Sequence, residues 1–325
     1  MRLTSSAAAC GLLLALAAPA SAQSTSAPWP TKPVRLVVPF APGATPDIIG
    51  RLIAEDIQSR HPGITVTVEN KPGAGGNTGT DAVAKAAPDG TTIGISLGGP
   101  LAINTLLFSQ LPYDPEKDIA PVTMLTTLPS ALVVPTSLGV NTVAEFIAFL
   151  KKPGNKVYGS IGAGSLSHLT MEAIALKAGV KMAHAPYPGS PQAMTAVARG
   201  DVQAACLPAS AVTALVAAGE AKILAVSTAQ RSKYLPDVPT LKESGIDVES
   251  DAWNALIAPA GTPPAMISQI NAEVRNALGN PAIVEKLKLL LIDPAPSTPE
   301  EARARITAEK KLWADVVKGA DIKIN

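Results

Sequence analysis

Strands that alternate with helices across glycine-bearing loops constrain the fold of this chain more than any other feature. Residues 34–38 form a short apolar run, a turn at 41–44 follows, and apolar residues then recur at helical spacing between Ile48 and Ile57. Similar units start near residues 65 and 92, and more of them occupy the middle of the chain. This order predicts an α/β fold in which parallel strands are covered by helices on both faces.

The loops that lead from a strand into a helix predict where a ligand binds. In open α/β sheets, ligands bind in the crevice beyond the carboxyl ends of the strands. Three such loops early in the chain and three in the middle predict two facing lobes with a cleft between them. Thr45, Ser165 and Ser190 stand at predicted helix starts, where a hydroxyl N-cap and free backbone N–H groups favour an anion. Ordinary N-capping explains the same residues, and the two roles are compatible.

Asp47 lies in the first turn of the first predicted helix. A carboxylate there pairs favourably with the helix dipole but repels an anion bound at the same helix end. We therefore expect Asp47 to stabilise its helix, and to meet an ammonium or hydroxyl group if it contacts a ligand at all.

Residues 1–22 have the pattern of a secretory signal peptide. Arg2 gives a positive start, a leucine-rich segment follows at 12–16, and small residues at 20–22 precede Gln23. The chain has 27 Lys+Arg and 26 Asp+Glu, and removal of the signal takes away Arg2 alone, so the mature protein is neutral. This balance argues against nucleic-acid and membrane-surface roles. We expect a monomeric, exported protein in the periplasm of a Gram-negative cell.

Motifs for catalysis or cofactor binding are weak in this sequence. The loop 73–78 nearly matches the dinucleotide fingerprint G-x-G-x-x-G, but threonine stands where the third glycine belongs. Ser165 lacks the second glycine of a G-x-S-x-G nucleophile elbow. Three histidines without metal-ligand spacing favour structural or surface roles: His61, His168 and His184. The sequence predicts a protein with no cofactor, metal or catalytic residue, and a secreted hydrolase or a nucleotide-dependent enzyme is the alternative.

An ordered series of motifs runs along nearly the whole mature chain. They lie at residues 37–43, 68–77, 86–90, 111–114, 158–160, 164–169, 186–189, 235–240 and 258–263. In these segments the chain resembles the receptors of tripartite tricarboxylate transporters, also called Bug proteins. The resemblance implies a type II periplasmic binding protein: two Rossmann-like lobes joined by two crossing segments, which close like a flytrap on a ligand in the cleft. It places lobe 1 at 28–128 plus 229–325 and lobe 2 at 129–228.

The resemblance also implies a function and a set of contacts. Members of the family bind small carboxylates, namely di- and tricarboxylates, acidic amino acids or aromatic acids, and deliver them to a membrane permease of the tripartite type or a sensor domain. The ligand-binding residues that it implies in lobe 1 are Phe40, Ala41, Pro42, Gly43, Ala44, Thr45, Asp47, Gly75, Asn77 and Gly98. Those that it implies in lobe 2 are Ser160, Ser165, Tyr187, Gly189, Ser190, Leu207 and Pro208.

Some loops depart from the family pattern. Ala44 replaces a second glycine, Gly98 stands in a loop that often carries a hydroxyl, and apolar Leu207 and Pro208 stand where an acid or amide is common. These departures predict a less polar pocket floor and a ligand with an apolar or aromatic body.

Overall fold

The computed structural model describes residues 28–319, so the predicted signal peptide lies outside the described residues. Within this range the strands are β1 (Val34–Val38), β2 (Val66–Asn70), β3 (Thr92–Leu97), β4 (Ile119–Pro135), β5 (Val157–Ser160), β6 (Ala183–Pro186), β7 (Ala204–Pro208), β8 (Ala221–Val226), β9 (Asp251–Pro259) and β10 (Asp293–Pro294). The helices are α1 (Thr45–Arg60), α2 (Asn77–Ala84), α3 (Asn104–Leu107), α4 (Val143–Leu150), α5 (Leu166–Ala178), α6 (Ser190–Arg199), α7 (Ala209–Ala217), α8 (Pro264–Gly279), α9 (Pro281–Leu289) and α10 (Pro299–Gly319). No helix in the described part of the chain is long and apolar enough to cross a bilayer.

The sheet is parallel at its two ends and antiparallel in its middle. Its strands follow the order β2-β1-β3-β9-β4-β7-β5-β6. β1 pairs in parallel with β2 and β3, and β5 pairs in parallel with β6 and β7. β9 runs antiparallel to β3 and β4, and β4 runs antiparallel to β7 and β8. The prediction of parallel strands is therefore correct within each set of three and wrong across the middle, where β4 runs from the first half into the second and β9 lies antiparallel beside its first part.

Each half of the sheet has its own apolar core. In the first half, side chains of β1, β3 and β9 pack with α1 and α8; fully buried members include Leu36, Ile53, Ile93, Leu256 and Ile270. In the second half, β4, β5 and β7 pack with α4 and α5; fully buried members include Leu132, Phe146, Tyr158, Ile174 and Cys206. Burying a large apolar side chain contributes about 1.5–3 kcal/mol, so each half has a core able to hold it as a unit.

The segments that join the halves are tied to one another. The Ser227 N–H donates to the Ser130 carbonyl over 2.8 Å, and the Ser250 N–H donates to the Ser227 carbonyl over 2.6 Å. α10 spans the junction, because Ala302 packs in the first half whereas Trp313 packs in the second. The lobe boundaries at 128/129 and 228/229, and the assignment of 229–325 to lobe 1, stay predictions.

Two predicted N-caps are wrong by one residue. α1 begins at Thr45 with Ala44 as its N-cap, and α6 begins at Ser190 with Gly189 as its N-cap. The Thr45 hydroxyl is not used in capping, since it lies 3.3 Å from the Ser210 hydroxyl on the other side of the cleft. Ser165 is the N-cap of α5 as predicted, because its hydroxyl accepts a hydrogen bond from the His168 N–H.

Candidate functional site

The strand-to-helix loops of the two halves meet face to face. Gly75, in the loop after β2, has φ +63°, and a Cβ placed there would lie 2.2 Å from the Ala163 carbonyl oxygen in the loop after β5. A Cβ at Gly99, in the loop after β3, would lie 2.8 Å from the Gly164 carbonyl oxygen. Only glycine permits backbones to approach so closely, so these residues allow the walls of the cleft to touch.

Two small cavities lie between these walls. Their volumes are about 30 Å³ and about 20 Å³. Both are lined by Phe40, Leu97, Ile161, Pro208, Ala252 and Trp253. The larger cavity adds the hydroxyl residues Ser130, Ser165 and Ser167, and the smaller adds Thr45, Ser190 and Asn254. The described residues that line them include no charged side chain, so the site is apolar with a few neutral hydrogen-bonding groups.

Four helices begin at these cavities. Thr45 and Ser190 are the first residues of α1 and α6, and both line the smaller cavity. Leu166 is the first residue of α5 and lines the larger cavity, and Pro208 is the N-cap of α7 and lines both. Each helix start carries backbone N–H groups without an intrahelical partner and the positive end of a dipole. The starts of α5, α6 and α7 carry no acidic residue in their first turns and therefore favour an anion without a lysine or arginine, whereas at α1 the Asp47 carboxylate offsets the dipole.

Asp47 fixes the loop before α1. One of its oxygens accepts hydrogen bonds from the Gly43 N–H and Arg51 Nε, each over 2.9 Å, and the other accepts from Asn70 Nδ2 over 2.9 Å. Burial opposes ionisation of this carboxyl, but the hydrogen bonds from Arg51, Gly43 and Asn70 outweigh it and lower the pKa of Asp47. Asp47 is therefore ionised and engaged within the first half, as expected for a residue that stabilises its helix start.

The facing loop at 160–165 is held by its own serines. The Ser165 hydroxyl donates to the Gly162 carbonyl over 2.6 Å, and the Ser167 hydroxyl accepts from the Ile161 N–H over 2.9 Å. The Ser160 hydroxyl accepts from the Gly162 N–H over 3.1 Å. These bonds give the loop one defined shape, in which the carbonyl oxygens of Ala163 and Gly164 face Gly75 and Gly99 on the other wall of the cleft.

Two histidines stack behind this loop. The rings of His168 and His184 lie 4.0 Å apart at an angle of 9°. His184 Nε2 lies 2.6 Å from the Ser160 hydroxyl, and His168 Nδ1 accepts from the Gly164 N–H over 3.2 Å. Burial lowers the pKa of His184 to about 4, and burial with the neighbouring His184 lowers the pKa of His168 to about 3. Both rings are neutral at pH 7, which is the state in which a ring nitrogen can accept a hydrogen bond.

The cavities bring together part of the predicted site. The predicted residues that line them are Phe40, Ala44, Thr45, Gly75, Gly98, Ser165, Ser190 and Pro208. The other predicted residues lie in or next to the same loops without lining either cavity: Ala41, Pro42, Gly43, Asp47, Asn77, Ser160, Tyr187, Gly189 and Leu207. Asn77, for example, is buried and accepts from Tyr113 and Asn104.

Sequence reasoning missed the floor of the site. Ala252, Trp253 and Asn254 line the cavities from β9, and Leu128 and Ser130 line them from β4. β4 runs from the first half into the second, and β9 lies beside the part of β4 in the first half. The sequence contains one signal for this floor. The run 251–259 has no glycine, and its only proline is its last residue, which is typical of a buried strand.

A larger cavity of about 810 Å³ lies elsewhere, against the crossing segments and α10. Its charged side chains pair with one another or with neighbours, as in Arg305 with Asp251 and Arg231 with Glu243. No strand-to-helix loop opens into it. We therefore place the candidate binding site in the cleft, where the helix starts converge, in spite of its small volume.

The architecture and the cleft are those of a solute-binding protein. The model of the tripartite tricarboxylate transporter family receptor (TctC) matches residues 49–321, and the chain belongs to this family. It is 34% identical over 330 residues to Protein BugT of Bordetella pertussis, with all of both chains covered. Periplasmic solute-binding proteins of this family are among its structural neighbours, which confirms the predicted fold class and family.

Two solved neighbours carry their ligands. A protein of R. palustris, Rpa4515 with adipate, superposes with a TM-score of 0.86 at 34% identity and covers 91% of this chain and 99% of its own. MatC (Rpa3494) from Rhodopseudomonas palustris with bound malate superposes with a TM-score of 0.84 at 29% identity and covers 89% of this chain and 100% of its own.

Proposed function

We propose that this protein is a periplasmic receptor that captures a small carboxylate between its two lobes and presents it to a membrane permease of the tripartite type or to a sensor domain. The proposal includes no catalytic step. The predicted contacts in the loops at 40–45, 75–77, 98, 160–165, 187–190 and 207–208 remain part of it, with the cleft-facing residues of β9 added to them.

The observation that carries this proposal is the convergence of the helix starts of α1, α5, α6 and α7 on cavities without a charged side chain. Each helix N-terminus favours a negative charge by roughly 0.3–1 kcal/mol, and by more where solvent is excluded. Charge-assisted hydrogen bonds from backbone N–H groups are stronger than those between neutral partners. A carboxylate is therefore held here without an arginine, and a cation is disfavoured.

The apolar lining indicates what the rest of the ligand is. The apolar residues that line both cavities are Phe40, Leu97, Ile161, Pro208, Ala252 and Trp253. Methylene groups or an aromatic ring lose no hydrogen bonds in such surroundings, whereas several hydroxyl groups would lie there without partners. A neighbour's ligand, adipate, has this combination of carboxylates and methylenes.

Capture requires the lobes to move. With Gly75 packed against the loop at 162–163, the two cavities between the walls measure only about 30 Å³ and 20 Å³, so the lobes must part before an acid enters. A ligand that contacts both walls then favours the closed form, because only that form makes both sets of contacts. The closed form is the one that a partner in the membrane recognises.

A hydrolase is the rival function, and the pair of Ser160 and His184 is the feature that bears on it. Ser160 is fully buried, and its hydroxyl is also bonded to the Gly162 backbone. A hydroxyl that is engaged with the Gly162 carbonyl and N–H is not free to attack a substrate, and the lowered pKa of His184 makes it a weak base. These features support a structural role for the pair.

A thermal-shift screen of the mature protein tests the proposal. The panel contains mono-, di- and tricarboxylic acids and aromatic acids, with sugars and nucleotides as controls. A ligand that binds the native state alone raises the melting temperature as its concentration exceeds its dissociation constant. We expect a shift from at least one acid and none from the controls. A shift from a sugar or nucleotide, with none from any acid, would overturn the proposal.

A further inference from the structure

Asn254 is a buried amide at the floor of the cleft with one end unused. It stands on β9, is 2% exposed, and lines the smaller cavity with Thr45 and Ser190. Its Nδ2 donates to the Thr126 hydroxyl on β4 over 3.0 Å. Its Oδ1 is buried and has no hydrogen-bond partner among the described residues. A buried polar atom without a partner is costly and therefore calls for an explanation.

The hydroxyl proton of Thr126 indicates which way the Asn254 amide is oriented. The Thr126 hydroxyl both accepts and donates, and in the arrangement just described its own proton has no acceptor in the described structure. A half-turn of the Asn254 amide exchanges its oxygen and nitrogen, which have nearly the same shape. Thr126 then donates to Oδ1, and the Nδ2 protons take the place of the oxygen that had no partner, where a ligand in the cavity can accept them. This arrangement satisfies the oxygen and the hydroxyl proton together.

We propose that Asn254 is a ligand-binding residue that donates from Nδ2 to a carboxylate of the captured acid, with Thr126 holding the amide in that orientation. The proposal rests on the proposed function, since it needs an acid in the cleft. It assigns one carboxylate of the ligand to the smaller cavity, between the starts of α1 and α6. The apolar body then extends past Phe40 and Ile161, which line both cavities.

The other orientation of the Asn254 amide predicts a different preference for ligands. If the Oδ1 atom faces the cavity when ligand is bound, Asn254 accepts a hydrogen bond from a hydroxyl or ammonium group of the ligand. The site would then prefer hydroxy acids or amino acids to simple acids. Aspartate in place of Asn254 distinguishes the two arrangements, because it has the same shape, cannot donate when ionised, and carries a charge that repels a carboxylate but attracts a donor.

The experiment is calorimetric titration of the wild-type protein, Asn254→Asp and Thr126→Val with the acid that gives the largest shift in the thermal screen. We expect Asn254→Asp to weaken binding at pH 7 by at least tenfold, because a charge-assisted hydrogen bond is replaced by repulsion between two carboxylates. Thr126→Val removes the group that orients the amide but leaves the amide itself. We therefore expect a smaller loss of severalfold.

The melting temperatures of the ligand-free variants show whether each one folds. If Asn254→Asp does not fold, Asn254→Ser and Asn254→Ala replace it, and serine, which still donates, is expected to bind the acid more tightly than alanine. Equal or tighter binding of the acid by Asn254→Asp, or equal binding by the serine and alanine variants, overturns the assignment of Asn254 while leaving the receptor function intact. Failure of the wild-type protein to bind any acid overturns the receptor function, and this assignment with it.

Discussion

Gly75→Ala tests whether ligand binding requires the two walls of the cleft to touch. The Cβ of alanine would lie 2.2 Å from the Ala163 carbonyl oxygen, whereas ordinary contact begins at 3.4 Å. The walls must therefore separate by about 1 Å or distort. Overpacking of this kind costs about 1–3 kcal/mol. Since about 1.4 kcal/mol corresponds to a factor of ten, the dissociation constant of the bound acid should rise roughly 5- to 150-fold.

Gly179→Ala is the matched control for this variant. Gly75 has φ 63° and ψ 22°, and Gly179, at the end of α5, has φ 66° and ψ 35°. Alanine in this left-handed conformation costs about 1–2 kcal/mol at either position. A Cβ at Gly179 meets nothing within 4 Å, so the control contains the backbone strain without the contact across the cleft.

Calorimetric titration of both variants with the same acid separates the two effects. We expect Gly179→Ala to lower the melting temperature and leave the affinity unchanged, and Gly75→Ala to lose affinity as estimated. Equal affinities for the two variants would refute the reasoning, because the acid would then bind without the walls coming into contact.

Three further properties follow from buried groups. Because burial lowers the pKa of His184 to about 4 and of His168 to about 3, the unfolded chain binds protons that the folded chain does not once the pH falls below about 6.5. As the pH is lowered from 6.5 to about 4, the free energy of unfolding measured in urea should therefore fall by up to about 1.4 kcal/mol per pH unit for each histidine. A free energy of unfolding that does not change with pH in this range would contradict the neutral pair. Cys206 is fully buried, which raises the pKa of its thiol to about 12, so a thiol reagent should label the unfolded protein and leave the native protein unlabelled. Phe146→Ala should lower the free energy of unfolding by about 3–5 kcal/mol because the side chain is fully buried, and the half-buried Phe149 on the same helix should lose clearly less; equal losses would contradict the packing of α4.

The local elements were predictable from the sequence, whereas the centre of the sheet was not. β1 was identified because an apolar run, a glycine turn and helical spacing follow one another within 24 residues of the chain, at 34–57. The pairing of β4 with β9 joins Thr126 to Asn254, and no periodicity in one segment reports on a partner so distant. The antiparallel middle of the sheet therefore came only from the structure.

The difference between local patterns and distant pairing also explains which site residues were predicted. The turn at Gly75 and the helix start at Ser165 were identified because glycine turns and helix starts have local signatures, whereas Gly75 was expected to contact the ligand only because of the resemblance to the family. Asn254 has no such signature, since its position depends on β9 lying beside β4. The histidine pair was missed for a similar reason: the register of β5 with β6 places Tyr158 beside His184, and this brings His184 next to a helix that follows β5.

The central claim is that the cleft holds the negative charge of a small acid with backbone amides and neutral side chains. Calorimetric titration of the mature wild-type protein with the best acid of the thermal screen, and with the corresponding neutral amide, tests it most directly. The two compounds have nearly the same shape and differ in charge. We predict one-to-one binding of the acid and binding of the amide that is weaker by at least tenfold, because the helix starts favour an anion. Equal affinity for the acid and its amide would contradict the account.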